Sequence, residues 1–277
     1  MKRIDTHLHF WDLQQFPCSW CNTIPALHRN FGLDEYRAAA QTTGIEKSLF
    51  VECDVDEPHS YAEAQHIQNL ADHTPLIAGI VAAARPELAV FPAQLDALLK
   101  LPKLRGIRRV LHVVPDEVSQ SDLFAENIGR LAAHRLTFEV CVLSRQLPLA
   151  IALAQKCPDV QFILNHCGVP DVRGRAFDPW RANITKLAAL PNVACKISGL
   201  VAYAGENWTV GDLRPWIEHV MENFGWDRVV WGGDWPVCTL TATLRQWVEA
   251  SDQLFAGVNQ EIREKVFGKN AERIYRI

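Results

Sequence analysis

The sequence lacks the features that mark several broad classes of protein. Its longest purely apolar run, 76–84, has nine residues, whereas a membrane-spanning helix needs ~20. Charge is nearly balanced, with 28 Lys and Arg against 32 Asp and Glu, which excludes a general attraction to nucleic acid or to an anionic membrane. The N-terminal segment 1–7 (MKRIDTH) carries polar residues where a signal peptide has its apolar segment. We therefore expect a cytoplasmic protein that acts on a small molecule.

Motifs for several kinds of chemistry are also missing. Eight cysteines in 277 residues do not suggest a disulfide scaffold, and the Cys18-Ser19-Trp20-Cys21 segment lacks the second half of a zinc motif. No G-x-G-x-x-G follows the first predicted strand, and no G-x-S-x-G elbow occurs anywhere in the chain. Dinucleotide binding and a serine nucleophile therefore have no support.

What the chain does contain is a regular alternation of strand and helix patterns. Hydrophobic residues make up 48% of the chain, which is ample for a core. Short apolar or β-branched runs predict eight strands, at 3–9, 47–53, 76–83, 106–112, 137–142, 160–166, 193–198 and 228–234. Helical periodicity predicts helices at 33–43, 60–73, 91–101, 122–134, 147–156, 180–190, 210–224, 241–254 and 260–273.

Eight such units are the number at which a parallel sheet closes on itself. The pattern therefore predicts an α/β fold, a distorted (β/α)₈ TIM barrel formed by one domain over residues 1–277. An open doubly wound sheet is the alternative architecture. In a barrel the chemistry lies at the C-terminal ends of the strands, so polar residues at those ends are the candidates for function.

Histidines and one acid occupy the ends of three predicted strands. Alternate side chains in a strand share a face, so His7 and His9 can present two imidazoles to one ion or one ligand. Asp234 ends the last strand, which is a neighbour of the first strand in a closed barrel, and His166 ends the sixth. We interpret Asp234 as a metal ligand or as a general base toward water; its alternative role is to cap the following helix.

Cations inside strands are the second group of candidates. A buried cation without a partner is costly, so Arg108 and Lys196 are expected either to bind a substrate carboxylate, carbonyl or hydroxyl, or to form internal ion pairs. Glu139 and Glu52 are the acids available for such pairs. Arg109 faces the opposite side from Arg108, and for it an internal ion pair is the favoured reading.

Five segments carry a resemblance to a known family. They read DTHLHFWD at 5–12, GIR at 106–108, NHCG at 165–168, KISGL at 196–200 and WGGDWP at 231–236. In this order they resemble the lactonase branch of the amidohydrolase superfamily, which includes L-fuconolactonase, L-rhamnonolactonase, 4-sulfomuconolactonase and 2-pyrone-4,6-dicarboxylate lactonase. The resemblance implies a barrel hydrolase of carbohydrate catabolism that opens a lactone, with Asp234 as base or metal-linked acid and His7, His9 and His166 around the reacting carbonyl.

The departures from that family bear on the metal. Metal-pair members carry a bridging Lys on strand 4 and a His on strand 5, whereas this chain has Arg108 and Glu139 there. We therefore expect at most one ion, zinc or manganese, held by residues from the set His7, His9, Asp234 and His166. A metal-free site is the other reading that the resemblance leaves open.

The substrate is expected to be a sugar-acid lactone. Flat aromatic side chains suit sugar rings, so Trp11 and Trp20 after the first strand join Arg108, Lys196 and Glu139 as predicted substrate-binding residues. A mononuclear metal-dependent decarboxylase of the same superfamily and a non-catalytic binder of sugar acids are the alternatives. Neither nucleic acid nor membrane is an expected partner, and assembly into a homo-oligomer stays open.

Overall fold

The computed structural model describes residues 1–277, and its eight strands form one parallel sheet. Each strand pairs with its neighbour in chain order. The strands are β1 Arg3–Leu8, β2 Ile45–Val51, β3 Ile77–Ala83, β4 Leu104–Val110, β5 Thr137–Cys141, β6 Gln161–Leu164, β7 Val193–Ile197 and β8 Val229–Trp231.

The sheet closes where the first and last strands end. Leu8 forms a parallel bridge with Trp235, the His9 N–H donates to the Trp235 carbonyl at 2.8 Å, and the Asp234 N–H donates to the His7 carbonyl at 2.7 Å. These bonds confirm the predicted barrel and exclude an open doubly wound sheet.

Helices follow the strands around the barrel. They are α1 Leu33–Ala40, α2 Ser60–Asp72, α3 Phe91–Leu98, α4 Asp122–Gly129, α5 Leu147–Lys156, α6 Trp180–Ala188, α7 Leu200–Ala204, α8 Val210–Phe224, α9 Leu244–Leu254, α10 Gln260–Glu264 and α11 Asn270–Tyr275. No helix combines the length and the apolar character that crossing a membrane requires.

The predicted helices differ from the observed ones in three places. The helix predicted at 122–134 is α4 followed by a 3₁₀ turn, Arg130–His134, and the one predicted at 260–273 is α10 and α11 joined by a π-helical turn, Lys265–Lys269. The short α7 was not predicted, because five residues are too few to show a helical period.

The sixth and eighth strands end earlier than predicted, because the residues at the mouth leave the hydrogen-bonded sheet. After β6 the backbone turns into the left-handed region at His166 (φ 51°), and after β8 it does so at Asp234 (φ 57°). His166 and Asp234, which were predicted at strand ends, are therefore carried by the turns that follow β6 and β8.

An apolar layer closes the other end of the barrel. Ala271, Ile274 and Tyr275 of α11 share a buried apolar cluster with Ile4 of β1 and Leu49 of β2. The barrel is thus sealed by its C-terminal helix, and only the mouth at the C-terminal ends of the strands carries the predicted site residues.

Candidate active site

A cavity of about 180 Å³ opens at the mouth of the barrel. We call it the mouth pocket. It is lined by His9, Trp20, Cys53, Asp54, Arg108, Val110, His112, Val113, Cys141, His166, Tyr203, Asp234 and Val237. A larger cavity of about 780 Å³ lies at the opposite end, but Lys2 and Lys47, among its cations, are paired with acids. The mouth pocket is therefore the candidate site.

Two imidazoles and one carboxylate converge at its floor. The Nε2 atoms of His7 and His9 lie 3.1 Å apart, and Asp234 Oδ1 lies 3.7 Å from the first and 3.6 Å from the second. All three residues are buried. Burial lowers the pKa of His9 to about 3 and lowers that of His7 as well, so both rings are neutral at neutral pH.

The tautomer of His9 is set by the backbone of the neighbouring strand. Its Nδ1 lies 2.7 Å from the carbonyl oxygen of Val51, which can only accept, so Nδ1 carries the proton. The Nε2 lone pair therefore points at His7 and Asp234. Because the Arg108 guanidinium Nη1, a donor, also lies 3.4 Å from His7 Nε2, this corner of the pocket is rich in both donors and acceptors.

The side chain of Asp234 faces the histidines and does not cap a helix. The 3₁₀ turn Val237–Leu240 that follows has no side-chain cap, and the Cys238 N–H donates to the backbone carbonyl of Asp234 at 2.8 Å. Burial raises the pKa of the Asp234 carboxyl, while His166 and Arg108 act in the opposite direction. The geometry thus favours the site role over the capping role.

His166 joins this group through a close approach of the backbone. Its Nδ1 lies 3.0 Å from Ser198 Oγ and 3.9 Å from Asp234 Oδ2. Gly199 has φ 68°, and a Cβ there would lie 2.4 Å from His166 Nδ1 and 3.0 Å from Asp234 Oδ2. Only glycine leaves room for both side chains at this position.

The donor set fits one divalent ion. A tetrahedral zinc site with bonds of ~2.0–2.1 Å has ligand atoms ~3.3–3.4 Å apart, close to the separations among His7, His9 and Asp234. Their ligand atoms all lie within 4.8 Å of one another. His7 Nδ1 is buried without a hydrogen-bond partner, and a ring proton on that nitrogen would leave the Nε2 lone pair to bind the ion. The chain therefore has a His-His-Asp cluster suited to a divalent metal.

Arg108 and the two other charged candidates are engaged with the protein. Arg108 Nε donates to Glu52 Oε1 at 2.5 Å, and its Nη2 donates to the Glu52 carbonyl, although the residue still lines the mouth pocket. Lys196 Nζ donates to Glu139 Oε2 at 2.9 Å and to the Thr6 carbonyl at 2.7 Å.

These contacts correct the sequence interpretation of Lys196 and Glu139. Both have no exposed surface and neither lines the mouth pocket. Glu139 also accepts hydrogen bonds from the hydroxyl of Tyr275 at 2.5 Å and from the amide of Asn165. The two residues form an ion pair beneath the site and do not reach a ligand, because a buried carboxylate and ammonium are stabilised by each other.

Of the two tryptophans predicted to bind substrate, only Trp20 lines the mouth pocket. Trp20 lines the mouth pocket, and its Nε1 donates to the Cys53 carbonyl at 2.8 Å. Trp11 lies behind it, edge to face at 5.5 Å, and donates to the Arg29 carbonyl at 2.7 Å. Trp11 is therefore corrected from a substrate-binding residue to a support for Trp20.

Asp5 was not among the predicted site residues, yet its side chain connects three segments at the mouth of the barrel. Its Oδ1 accepts from the backbone N–H of His7 at 3.0 Å and of Gly233 at 2.6 Å, and its Oδ2 accepts from the hydroxyl of Tyr36 at 2.8 Å. The signal that could have identified this role is an acid inside the first strand, two residues before His7.

A closed parallel barrel with two histidines at the end of β1 and an acid after β8 at one mouth defines a barrel hydrolase. The amidohydrolase family model matches residues 4–277, and the chain belongs to that family. The recognition of the superfamily from its motifs is thereby confirmed, as is the expectation of a hydrolytic enzyme.

Individual relatives cover the whole chain. The chain is 30% identical to an L-fucono-1,5-lactonase of Burkholderia ambifaria over 99% of this chain and 96% of that protein. It is 22% identical to an L-rhamnono-gamma-lactonase of Scheffersomyces stipitis, over 100% and 99% of the two chains. Among solved structures, an amidohydrolase from Burkholderia multivorans with bound Zn superposes with a TM-score of 0.90 at 27% identity and covers all of both chains.

Proposed function

We propose that the protein opens the ring of a sugar-acid lactone by hydrolysis. The observation that carries the proposal is the Asp234 carboxylate, which is buried and faces His7 and His9 at 3.7 and 3.6 Å at the floor of the mouth pocket. The similarity of the chain to two kinds of sugar lactonase, along its whole length, supports the same substrate class. The substrate is a small molecule, and we place the reaction in the cytoplasm.

Asp234 moves the proton in this reaction. It accepts a proton from the water that attacks the ring carbonyl carbon, and the carbonyl oxygen becomes an oxyanion. The ring C–O bond then breaks, and Asp234 returns the proton to the leaving alkoxide. One residue can serve both steps because the leaving group is an alcohol within the same molecule, and the product is a hydroxy acid that loses its proton to solvent.

Arg108 stabilises the charge that develops on the carbonyl oxygen. The guanidinium is held against the floor by Glu52, with Nη1 beside His7. A fixed positive charge in a buried pocket stabilises an oxyanion more than the same charge in water. Arg108 is thus an electrostatic partner of the transition state as well as half of an ion pair.

His7, His9 and Asp234 would hold a single zinc or manganese ion, with His166 next to them. Such an ion would act as a Lewis acid on the lactone carbonyl. Zinc is favoured over magnesium or calcium because two of the three donors are neutral imidazoles. The bound Zn of the Burkholderia multivorans amidohydrolase supports the same choice.

A screen of sugar lactones with a pH indicator tests the proposal. Purified protein is incubated with γ- and δ-lactones of sugar acids, with and without a chelator, and acid release is followed against a no-enzyme control. Turnover of at least one sugar lactone is expected. Carbon dioxide release from an aromatic acid, or tight binding of sugar acids with no turnover, would replace lactone hydrolysis with a decarboxylase or with a binding protein.

A further inference from the structure

The strand that carries Arg108 also presents a second polar side chain to the mouth pocket. Arg108 and Val110 of β4 line the pocket, and so does His112 in the turn that follows this strand. His112 lies two residues beyond the end of β4 and is half-buried. It is therefore nearer the opening than Arg108, whose guanidinium reaches the floor beside His7.

A thiol from the next strand contacts this histidine. Cys141 is the last residue of β5, and its Sγ lies 3.5 Å from His112 Nδ1. The pair is held in register because the Leu111 N–H donates to the Cys141 carbonyl at 3.0 Å. Burial raises the pKa of Cys141 to about 12, so its sulfur keeps a proton that it can donate.

The direction of this hydrogen bond and the tautomer of His112 determine each other. Burial and the nearby Arg108 lower the pKa of His112, so the ring is neutral and has one donor and one acceptor. With the thiol donating to Nδ1, the ring proton lies on Nε2. That nitrogen makes no hydrogen bond within the chain and is available to a molecule in the mouth pocket.

We propose that His112 is a specificity-determining residue that donates a hydrogen bond from Nε2 to a hydroxyl oxygen of the lactone, and that Cys141 is the positioning residue that selects this tautomer. The inference rests on the proposed lactone hydrolysis and assigns His112 to the part of the ring away from Asp234. A neutral donor suits a neutral hydroxyl, whereas a substituent carboxylate would require a free cation. The one cation lining the pocket, Arg108, is already paired with Glu52.

Deoxy analogues of a turned-over lactone provide the first test. His112→Phe keeps a flat ring and removes the donor. For the parent lactone we expect kcat/KM to fall about tenfold, mainly through KM, because the contact is present in both ground and transition states. For the monodeoxy analogue that lacks the recognised hydroxyl, wild type and His112→Phe should have the same kcat/KM within twofold.

Variants of the thiol provide the second test. Cys141→Ser keeps a donor beside Nδ1 and should retain KM within about threefold, whereas Cys141→Ala should raise KM without lowering kcat. Cys157→Ala removes another buried thiol, one that contacts the Ala125 carbonyl instead, and serves as the matched control. In ¹⁵N spectra of the wild type, His112 should have its proton on Nε2, a readout that needs no variant to fold.

The outcomes separate this inference from the proposed function. If no lactone is turned over by wild type, the proposed function fails. If wild type turns over lactones but His112→Phe lowers kcat/KM equally for parent and all monodeoxy analogues, the specificity role is wrong. A wild-type spectrum with the His112 proton on Nδ1 would overturn the role of Cys141.

Discussion

Asp234 combines three features at the floor of the mouth pocket. It is buried, its backbone is in the left-handed region, and its carboxylate faces two neutral imidazoles. A non-glycine residue at positive φ costs of order 1–3 kcal/mol, and such strain persists where the surroundings fix it. The bonds from the Asp234 N–H to His7 and from Cys238 to Asp234 do so here.

Asp234→Asn should keep the fold and abolish turnover. The amide has the same volume but cannot accept the proton of water, and losing a general base costs ~10²–10⁴-fold in rate. Circular dichroism checks the fold; retention of more than about a tenth of wild-type turnover would contradict the assignment.

Arg108→Met should lower stability as well as activity. It leaves Glu52, which is 1% exposed, as an unpaired buried carboxylate, and breaking a buried pair costs about 3–5 kcal/mol. The double variant Arg108→Met with Glu52→Leu should recover part of the loss, since it removes both charges. Urea unfolding measures the free energy of each variant.

Arg109→Met is the matched control for this experiment. Arg109 pairs with Glu87 at 2.9 Å and also lies 3.9 Å from Asp54; both acids are more exposed than Glu52, so the loss of stability should be smaller than for Arg108→Met. Arg108→Met with wild-type stability would show that the pair with Glu52 contributes little.

At the scale of elements, the connection from β7 to α7 positions two site residues at once. Gly199 has positive φ and leaves no room for a Cβ between His166 and Asp234. Gly205, at the other end of α7, also has positive φ (87°), but the nearest atom to a Cβ there is 3.7 Å away. Substitutions at these two glycines therefore distinguish the effect of backbone strain, which both share, from the effect of contact with the site, which only Gly199 has.

Gly199→Ala should abolish most of the turnover, whereas Gly205→Ala should destabilise the protein and keep its kcat/KM. Both variants place a Cβ in an unfavourable backbone region, at about 1–2 kcal/mol. Only Gly199→Ala displaces His166 and Asp234. Equal losses of kcat/KM in the two variants would contradict the positioning role of this connection.

The junction of β2 and α2 carries a pH-sensitive acid. Glu63 is 2% exposed, its Oε1 accepts from the Cys53 N–H at 3.1 Å, and its Oε2 has no partner. Burial raises its pKa from 4.5 to about 8. The folded protein therefore holds a proton that the unfolded chain releases, so stability falls as pH rises from 4.5 to about 8 and changes no further above it.

Glu63→Gln should remove this dependence. The amide resembles the protonated acid and still accepts from the Cys53 N–H. Relative to wild type, its free energy of unfolding should rise with pH across that window by at most about 1.4 kcal/mol per unit. Urea unfolding at pH 5, 6.5 and 8 is the measurement, with exposed Glu222→Gln as control. A constant difference between wild type and Glu63→Gln would mean that Glu63 is ionised when folded.

For the whole molecule, the strand ends offer one metal cluster. His7, His9 and Asp234 come from the first and last strands, whose pairing closes the barrel. An ion bound there would therefore also link these two strands. The chain should bind at most one equivalent of zinc by elemental analysis, because Arg108 faces the floor from β4 and Glu139 is paired with Lys196.

Zinc should also raise the melting temperature of chelator-treated protein, since a ligand that binds only the folded state stabilises it. The double variant His7→Ala with His9→Ala should lose this increase. Two equivalents of tightly held ion, or an unchanged shift in the double variant, would contradict the single site.

The architecture and the position of the site were readable from the sequence because their signals are local. Strand and helix periodicity lies within each segment, and eight repeats of the pair close a barrel. The mouth then follows, since parallel strands all end there, and it collects His7, His9, His166 and Asp234. Alternation within β4 also separated Arg108 from Arg109.

The partners of the charged residues required the tertiary structure. Arg108 on β4 meets Glu52 after β2, and Lys196 on β7 meets Glu139 on β5, so each pair joins strands that are not neighbours in the sheet. Face alternation determines that such side chains point inward, but barrel curvature and side-chain length determine which of them touch. Local sequence patterns were therefore enough to predict the barrel, its mouth and the grouping of Asp234 with the histidines. Contacts between residues distant in the chain were needed to show that Lys196 is paired inside the barrel and that His112 lines the mouth pocket beside Cys141.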